Sequence, residues 1–361
     1  MNFAVNAPIN SLSFGQVSIA LLREFYVKGL QPCLFPIGGK VEVGSQKIDE
    51  DFKKWIESCI RKGLAAHSRK IPAFKLWHLH DYDSVSEKQL LYSFYELDSP
   101  TQVELNIARN QNKLAFSNDY SCSQFTSMGI NSVVKIPLGF DSANFSRKGD
   151  NKSENKITFN LLGKFEKRKH HARVIKAWLK EFGNKSEFFL NCAIYNPFFS
   201  PEDNKNVCSG VTEGKHYFNI QFFNYIESNA AYNDFLNYGN IVIGMSGAEG
   251  WGLGEFQSVA LGKYGVILDA HGHKEWANKD NAVLVRPSNM IDAYDGTFFH
   301  KGQIFNQGSI FDWKDEDFIA GCYEAIKQYK NAPLNSKGIE LQSRFTYSKM
   351  ADSVISELEK L

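Results

Sequence analysis

Several features of membrane, secreted and polyanion-binding proteins are absent from this sequence of 361 residues. No run approaches the roughly 20 apolar residues that a membrane span needs. The amino-terminal residues lack the charged and long apolar regions of a signal peptide. The six cysteines are scattered, without a Cys-x-x-Cys pair, which is typical of reduced thiols. Lys and Arg number 41 against 40 Asp and Glu, so no general attraction to a polyanion is expected. These absences predict a cytoplasmic protein.

The sequence does contain short apolar runs that alternate with longer amphipathic ones. This alternation predicts an α/β protein in which helices cover parallel sheets, and the length favours two domains. Residues 142–156 are polar, charged and almost free of apolar side chains, as expected for a linker. We therefore predict one domain over residues 1–145 and a second over 156–340, followed by a helix within 341–361 that packs back toward the first domain. Ligands of such proteins usually bind in a cleft between the two halves.

The strongest motif is a glycine-rich segment at residues 246–254 (SGAEGWGLG). A predicted strand, 240–243, precedes it, and a helix is predicted to open near Leu253. Unpaired backbone amides at a helix N-terminus attract a phosphate group, particularly where glycines leave the backbone accessible. Glu249, at the edge of this loop, would accept hydrogen bonds from sugar hydroxyls. Such loops also serve merely to connect strands to helices, so the glycines alone leave both interpretations open.

A cationic segment, residues 163–170 (GKFEKRKH), follows the predicted strand 157–162. Lys164 and Lys169 lie on either side of a strand-to-helix turn, where their ammonium groups would neutralise a diphosphate leaving group. The alternative is a solvated run of charge.

Other polar residues are weaker candidates. His80 and Glu96 follow predicted buried strands of the first half, so both are candidates for contacts with acceptor hydroxyls, although a structural role is equally compatible. His271, His273 and Glu275 have metal-binding side chains, but their spacing matches no common site, and we predict no metal.

The two motifs together resemble the retaining, nucleotide-sugar-dependent glycosyltransferases of family four, a GT-B family. Its motifs run approximately Gly-Arg-x-x-x-x-Lys-Gly and Ser-x-x-Glu-Gly-Phe-Gly-Leu-Pro-x-x-Glu-Ala-x-Ala-x-Gly. The second aligns without a gap over residues 246–262, and the first places Lys164 at the family's arginine and Lys169 at its lysine. Four ordered N-terminal segments agree as well: 94–100, 115–118, 123–130 and 136–141. The resemblance therefore extends over nearly the whole chain.

The resemblance implies a GT-B fold, in which two Rossmann-like domains face a central cleft, an acceptor-side domain first and a nucleotide-sugar-binding domain second. It implies that Glu249, Lys169 and Lys164 are catalytic. It also implies a donor-binding set: Gly15 in the loop after the first strand, Gly250, Trp251, Gly252, Leu253 and Gln257. Gln257 stands where the family has a ribose-binding glutamate, so either Gln257 or the nearby Glu255 would hold the ribose. Gly254 replaces the family's common proline.

The expected activity is retaining transfer of a hexosyl or pentosyl group from a nucleotide-diphosphate sugar to an acceptor hydroxyl, without a metal or other cofactor. A glycan or lipid-linked sugar is the expected acceptor. The compact chain and its basic 164–169 stretch leave a modified base in phage DNA as a further acceptor. A nucleotide-sugar epimerase and a non-catalytic nucleotide-sugar-binding protein are the alternative functions. The sequence does not indicate an oligomeric state.

Overall fold

The computed structural model describes residues 1–79, 83–149 and 156–361, and they form two compact units. The first unit comprises Met1–Asn144 together with two later segments, Gly302–Gln307 and Arg344–Leu361. The second comprises Phe145–Lys301 and Gly308–Ser343. No helix in the described part of the chain is long and apolar enough to cross a membrane.

The first unit is built on a sheet of six parallel strands in the order β2-β1-β3-β4-β5-β6. Its strands are β1 Ala4–Ile9, β2 Cys33–Val41, β3 Ala73–Leu76, β4 Gln89–Tyr92, β5 Lys113–Phe116 and β6 Val133–Lys135. Its helices are α1 Ser13–Val27, α2 Glu50–Ala66, α3 Gln102–Arg109, α4 Asp119–Ser127 and the C-terminal α12 Tyr347–Glu359. Helix α12 packs against α1, and its buried side chains Met350, Val354 and Leu358 form the apolar face that the sequence predicts.

The second unit contains another sheet of six parallel strands, in the order β12-β11-β10-β7-β8-β9. Its strands are β7 Ile157–Leu162, β8 Phe188–Ala193, β9 Ile220–Phe222, β10 Ile241–Gly244, β11 Tyr264–Leu268 and β12 Val283–Val285. An antiparallel hairpin follows, formed by β13 Met290–Asp292 and β14 Ser309–Phe311. The helices are α5 His171–Phe182, α6 Pro201–Val211, α7 Asn229–Tyr238, α8 Leu253–Ala260, α9 Asp315–Asn331, α10 Ser336–Ile339 and α11 Leu341–Arg344.

Short-range sequence signals explain several of these boundaries. Helix α3 begins with a capping box, in which the Thr101 hydroxyl accepts from the Glu104 amide and the Glu104 carboxylate accepts from the Thr101 amide. Helix α6 begins with Ser200 at the N-cap and Pro201 in the first turn. Helix α5 places Val174, Trp178 and Phe182 against the sheet, because they recur at helical spacing.

The predicted α/β class and the two parallel sheets are confirmed, and helix α5 occupies the predicted range 171–182. The prediction that Gly15 lies in the loop after the first strand is wrong, because α1 already begins at Ser13. Gly15 therefore lies in the first turn of a helix. It tolerates no side chain there, since an added Cβ would lie 2.3 Å from the Asn10 carbonyl oxygen. The sequence signal was misleading because α1 has no side-chain N-cap and has a glycine in its first turn.

Candidate functional site

The glycine-rich loop lies between β10 and α8, as predicted, and ends at a left-handed glycine. Gly252 is the N-cap residue of α8, with φ of 78°, and it provides no side chain to cap the first amides of the helix. A Cβ at Gly252 would lie 2.7 Å from His273 Nε2, so this position requires glycine for space as well as for conformation. The uncapped helix N-terminus has the backbone donors that an anion site needs.

Backbone contacts with neighbouring segments fix the rest of this loop. The Gly247 amide donates to the Arg168 carbonyl at 2.8 Å, and the Gly247 carbonyl accepts from the Phe311 amide at 3.0 Å. The Gly272 amide donates to the Glu249 carbonyl at 3.1 Å. A Cβ on Gly247 or Gly272 would lie within 2.4 Å of a backbone oxygen. Glycine at both positions therefore allows the close backbone packing that holds Glu249 in place.

The side chains of Lys169 and Glu249, which the sequence predicts to be catalytic, meet in the second unit. Lys169 ends a 3-10 turn, Lys167–Lys169, between β7 and α5, and its ammonium donates to the Glu249 carboxylate. Arg168 Nη1 lies 3.1 Å from the same carboxylate oxygen, and Arg168 Nη2 lies 2.8 Å from Glu166 Oε1. The side chains of Lys169, Glu249 and Arg168 are only 11%, 8% and 6% exposed. We call Glu166, Arg168, Lys169 and Glu249 the charged cluster.

The electrostatics keep Lys169 and Glu249 charged at neutral pH. Burial alone would raise the pKa of Glu249, but Lys169 and Arg168 outweigh burial and hold that pKa below its ordinary value. Burial would lower the pKa of Lys169, but the Glu249 carboxylate outweighs it and the pKa is raised. Glu255, at the first turn of α8, has a raised pKa because it is buried. Glu249 stands three residues before the N-cap Gly252, so the two cations that contact it lie close to the N-terminus of α8.

Two buried histidines support the loop from the other side. His271 Nδ1 lies 2.6 Å from the Glu249 carbonyl oxygen and His273 Nδ1 lies 3.3 Å from that of Leu268, so each of these nitrogens donates to a carbonyl. Burial lowers their pKa values to about 3 and about 4, and both rings are neutral at physiological pH. Across residues 1–79, 83–149 and 156–361, no group of three or more His, Cys, Asp or Glu side chains is arranged to hold a metal ion.

Two further residues of the predicted donor-binding set, Trp251 and Gln257, lie on the same loop and helix. The Trp251 side chain is buried, and the Trp251 backbone carbonyl accepts a hydrogen bond from Trp276 Nε1 at 2.8 Å. A nucleotide sugar would therefore contact only the backbone of Trp251. Gln257 lies one turn into α8 and is 4% exposed, and its Oε1 has no hydrogen-bond partner among the described residues. Lys164 is 30% exposed, lies 3.5 Å from the Glu166 carboxylate, and packs on the ring of Phe298.

The first unit holds the other sequence candidates. Glu96 is half-buried and lies four residues beyond the end of β4, not directly at its end. His80 lies outside the described residues. Their contacts with an acceptor stay predictions.

Sequence reasoning missed two members of the charged cluster. Arg168 and Glu166 occupy variable positions inside the family motif, so the motif gave them no role. Helical spacing gives no signal for this pair either, because side chains two residues apart on a helix do not face each other. Their burial, which makes the pairing important, follows only from the packing of the glycine loop.

Comparison with solved structures identifies the fold of the chain. No family model and no curated protein matches the sequence, whereas solved structures match nearly its whole length. Sucrose-phosphate synthase from Thermosynechococcus elongatus is 12% identical, with a TM-score of 0.68 and coverage of 100% of this chain and 98% of that one. HepE from Anabaena, in complex with UDP-glucose, is 12% identical, with a TM-score of 0.68 and full coverage of both chains. A glycosyltransferase from Rickettsia africae is 13% identical, with a TM-score of 0.67 and coverage of 99% and 98%.

The chain has the GT-B fold. The resemblance drawn from the motifs is thereby confirmed at the level of fold. Because a GT-B fold hosts different donors and acceptors, the activity follows from the site and not from the architecture.

Proposed function

We propose that this protein is a retaining glycosyltransferase, which moves a sugar from a nucleotide-diphosphate donor to an acceptor hydroxyl. The observation that carries this proposal is the meeting of Lys169, Arg168 and Glu249 beside the uncapped N-terminus of α8. These residues lie at two separate motifs, 80 residues apart in the chain. A purely structural ion pair does not require a glycine-rich loop and a helix N-terminus without a side-chain cap at the same place.

The chemistry follows from where charge develops. As the bond between the sugar and the β-phosphate breaks, negative charge grows on the phosphate oxygens. Lys169 and the first amides of α8 stabilise that charge more in the transition state than in the ground state. Glu249 orients the Lys169 ammonium and accepts hydrogen bonds from the transferred sugar. The resemblance implies retention and a leaving phosphate that helps to deprotonate the acceptor, so no separate side-chain base is assigned.

Different observations support the proposed sugar donor and the proposed acceptor. UDP-glucose is the first donor to test, because HepE of Anabaena is similar in fold and its structure contains UDP-glucose. Gln257, whose Oε1 lacks a partner in the described chain, is the residue we assign to the ribose. In the first unit we assign Gly15 to the donor side, and His80 and Glu96 to the acceptor. A glycan or lipid-linked sugar is the proposed acceptor, and a modified DNA base is the alternative.

We propose that the reaction needs no metal ion. Lys169 and Arg168 supply positive charge where the diphosphate would lie, which is the role that a divalent cation has in metal-dependent transferases. The test is simple, since excess EDTA should leave the rate of nucleoside diphosphate release unchanged. The cytoplasmic location stays a prediction from the sequence.

A thermal-shift screen over nucleoside diphosphates and their sugars identifies the donor. A ligand at 100 times its Kd adds about 2.7 kcal/mol of stability. Release of nucleoside diphosphate is then measured with the best donor and pools of glycan and lipid-linked acceptors. Lys169→Ala should lower this rate on the order of 10²–10³-fold. Lys180→Ala, which removes an exposed lysine from α5, is the matched control and should leave it unchanged.

The competing functions give different results in this assay. An epimerase converts the nucleotide sugar without any acceptor, and a binding protein raises the melting temperature without turnover. Unchanged transfer by Lys169→Ala would contradict the assignment of the site even if the wild type is a transferase.

A further inference from the structure

The Lys164 side chain lies between two phenylalanine rings that come from distant parts of the second unit. Its Nζ is 3.7 Å from the ring centroid of Phe298 and 5.2 Å from that of Phe198. The two rings meet edge to face, with centroids 5.8 Å apart and planes at 74°. Both distances are within the roughly 6 Å over which an aromatic face attracts a cation. We call Phe198 and Phe298 the aromatic cage.

The turn that presents Phe298 is held by the chain itself. The carboxylate oxygen Oδ1 of Asp295 accepts from the backbone amides of Thr297, Phe298 and Phe299 at 2.9, 2.8 and 2.9 Å. The Lys167 ammonium donates to the Tyr294 carbonyl at 2.9 Å. The Phe298 turn is therefore fastened to the same 163–170 motif that contains Lys164.

The loop that presents Phe198 is tied to that motif as well. Asn196 is fully buried, its Oδ1 accepts from the Phe198 amide at 3.0 Å, and its Nδ2 donates to the Phe165 carbonyl at 2.9 Å. Phe165 directly follows Lys164 in the chain. One buried amide thus sets the distance between the lysine and this wall of the cage, although Phe198 is itself 61% exposed.

The cage matters because Lys164 stands where the resemblance places an arginine. An arginine brings a rigid planar fork of donors, whereas a lysine ammonium sits on a flexible four-carbon stem. Contact with two rings and with the Glu166 carboxylate at 3.5 Å restricts that stem, while 30% of the side chain stays accessible. The ammonium has three donors, and the ring faces attract its charge without removing its capacity to donate to phosphate oxygens.

We propose that Phe298 and Phe198 are positioning residues, which hold the Lys164 ammonium in place for the donor diphosphate and so substitute for the missing arginine fork. This role rests on the proposed function, because it requires a nucleoside diphosphate at this site. The cage is retained when the donor binds, and the two rings set how tightly the diphosphate is held.

The test measures the Kd of a nucleoside diphosphate by titration calorimetry, using whichever of UDP, GDP, ADP, CDP and dTDP the wild type binds most tightly. Phe298→Leu keeps most of the apolar volume but removes the ring face, and it should raise the Kd about 3- to 30-fold. Phe298→Trp should restore wild-type affinity. Phe218→Leu, which replaces an exposed phenylalanine elsewhere in the unit, should change nothing.

A double-mutant cycle separates positioning from packing. In a Lys164→Met background, Phe298→Leu should have no further effect on the Kd, because the ammonium that the ring positions is gone. An equal rise in that background would show that the ring only packs, and a Kd that stays constant or falls in Phe298→Leu alone would also overturn the role. If the wild type binds none of the five nucleotides, the proposed function fails and this inference with it. Binding by the wild type with an unaffected Phe298→Leu overturns this inference alone.

Discussion

The charged cluster gives a quantitative prediction, because its charges are buried and its partners are unequal. Lys169→Met leaves the Glu249 carboxylate with one cation, Arg168 at 3.1 Å, so we expect a loss of about 2 kcal/mol of unfolding free energy. Glu249→Gln leaves two buried cations without that carboxylate and should cost about 3 kcal/mol. Arg168 still retains Glu166 at 2.8 Å, which limits the second loss.

The double variant Lys169→Met/Glu249→Gln should cost about 3 kcal/mol, where independent effects would add to about 5. The coupling of about 2 kcal/mol arises because a neutral pair no longer leaves an uncompensated charge in a buried place. Such a variant would be folded and yet lack the Lys169 ammonium and the Glu249 carboxylate. Low turnover in it would then indicate a functional role for the charges and not a loss of fold.

Urea unfolding followed by tryptophan fluorescence is a suitable assay, since four of the six tryptophans lie in the second unit: Trp178, Trp251, Trp276 and Trp313. The control is the exposed pair Lys185–Glu181, at 3.3 Å and 47% and 35% exposed, whose double replacement should change stability by about 0.5 kcal/mol at most. Additivity within about 0.5 kcal/mol at the buried pair would show that Lys169 and Glu249 do not stabilise each other.

Three further predictions concern stability and donor binding. On acidification from pH 8 to pH 5.5, three buried histidines with a pKa lowered to about 3 or about 4 should contribute a loss of about 4 kcal/mol of unfolding free energy, about 1.4 kcal/mol each: His171, His271 and His273. Below pH 6.5 the unfolded chain protonates these rings and the folded chain does not, so the free energy of unfolding decreases as the pH is lowered. The buried carboxyls of Glu104 and Glu255, whose pKa values are raised, offset part of this loss. Urea unfolding that shows no decrease in stability over this pH range would be inconsistent with neutral rings. Gly252→Ala should lower stability by about 1–3 kcal/mol, because Gly252 has a φ of 78° and an added Cβ would press against the His273 ring. Gly210→Ala is the control: Gly210 lies on a helix with open space around the added Cβ, so this change should raise stability by about 0.5–1 kcal/mol. Equal effects of the two changes in thermal unfolding would contradict this prediction. Gln257→Leu should raise the Kd of the bound nucleoside diphosphate about fivefold in calorimetry, because one neutral hydrogen bond is lost, and an unchanged Kd would remove Gln257 from the ribose site.

Much of the architecture could be predicted because it is encoded locally. The apolar spacing of α5 fixes its range, and the glycine loop marks the change from β10 to α8. The start of α1 could not be predicted, since Ser13 and Gly15 are typical of loops and the helix has no capping side chain. There the packing of α1 on the sheet overrides weak local preference.

The site was predictable where a single motif carries it, and not where distant segments meet. Lys169 and Glu249 were assigned from their motifs, but the sequence does not reveal that they pair, or that Arg168 joins them. The aromatic cage depends on Phe198 and Phe298, which lie 34 and 134 residues beyond Lys164, on loops whose paths follow from Asn196 and Asp295. The hydrogen bond from the buried Asn196 amide to the Phe165 carbonyl spans 31 residues and has no periodic sequence signal.

The central claim is that the glycine loop and the charged cluster bind the diphosphate of a nucleotide-sugar donor. A crystal structure of the protein with the tightest-binding nucleoside diphosphate tests it most directly. Phosphate oxygens should lie about 2.7–3.2 Å from Lys169 Nζ and from backbone amides within residues 250–253. A nucleotide bound elsewhere, out of contact with these donors, would show that the loop and the cluster have another role.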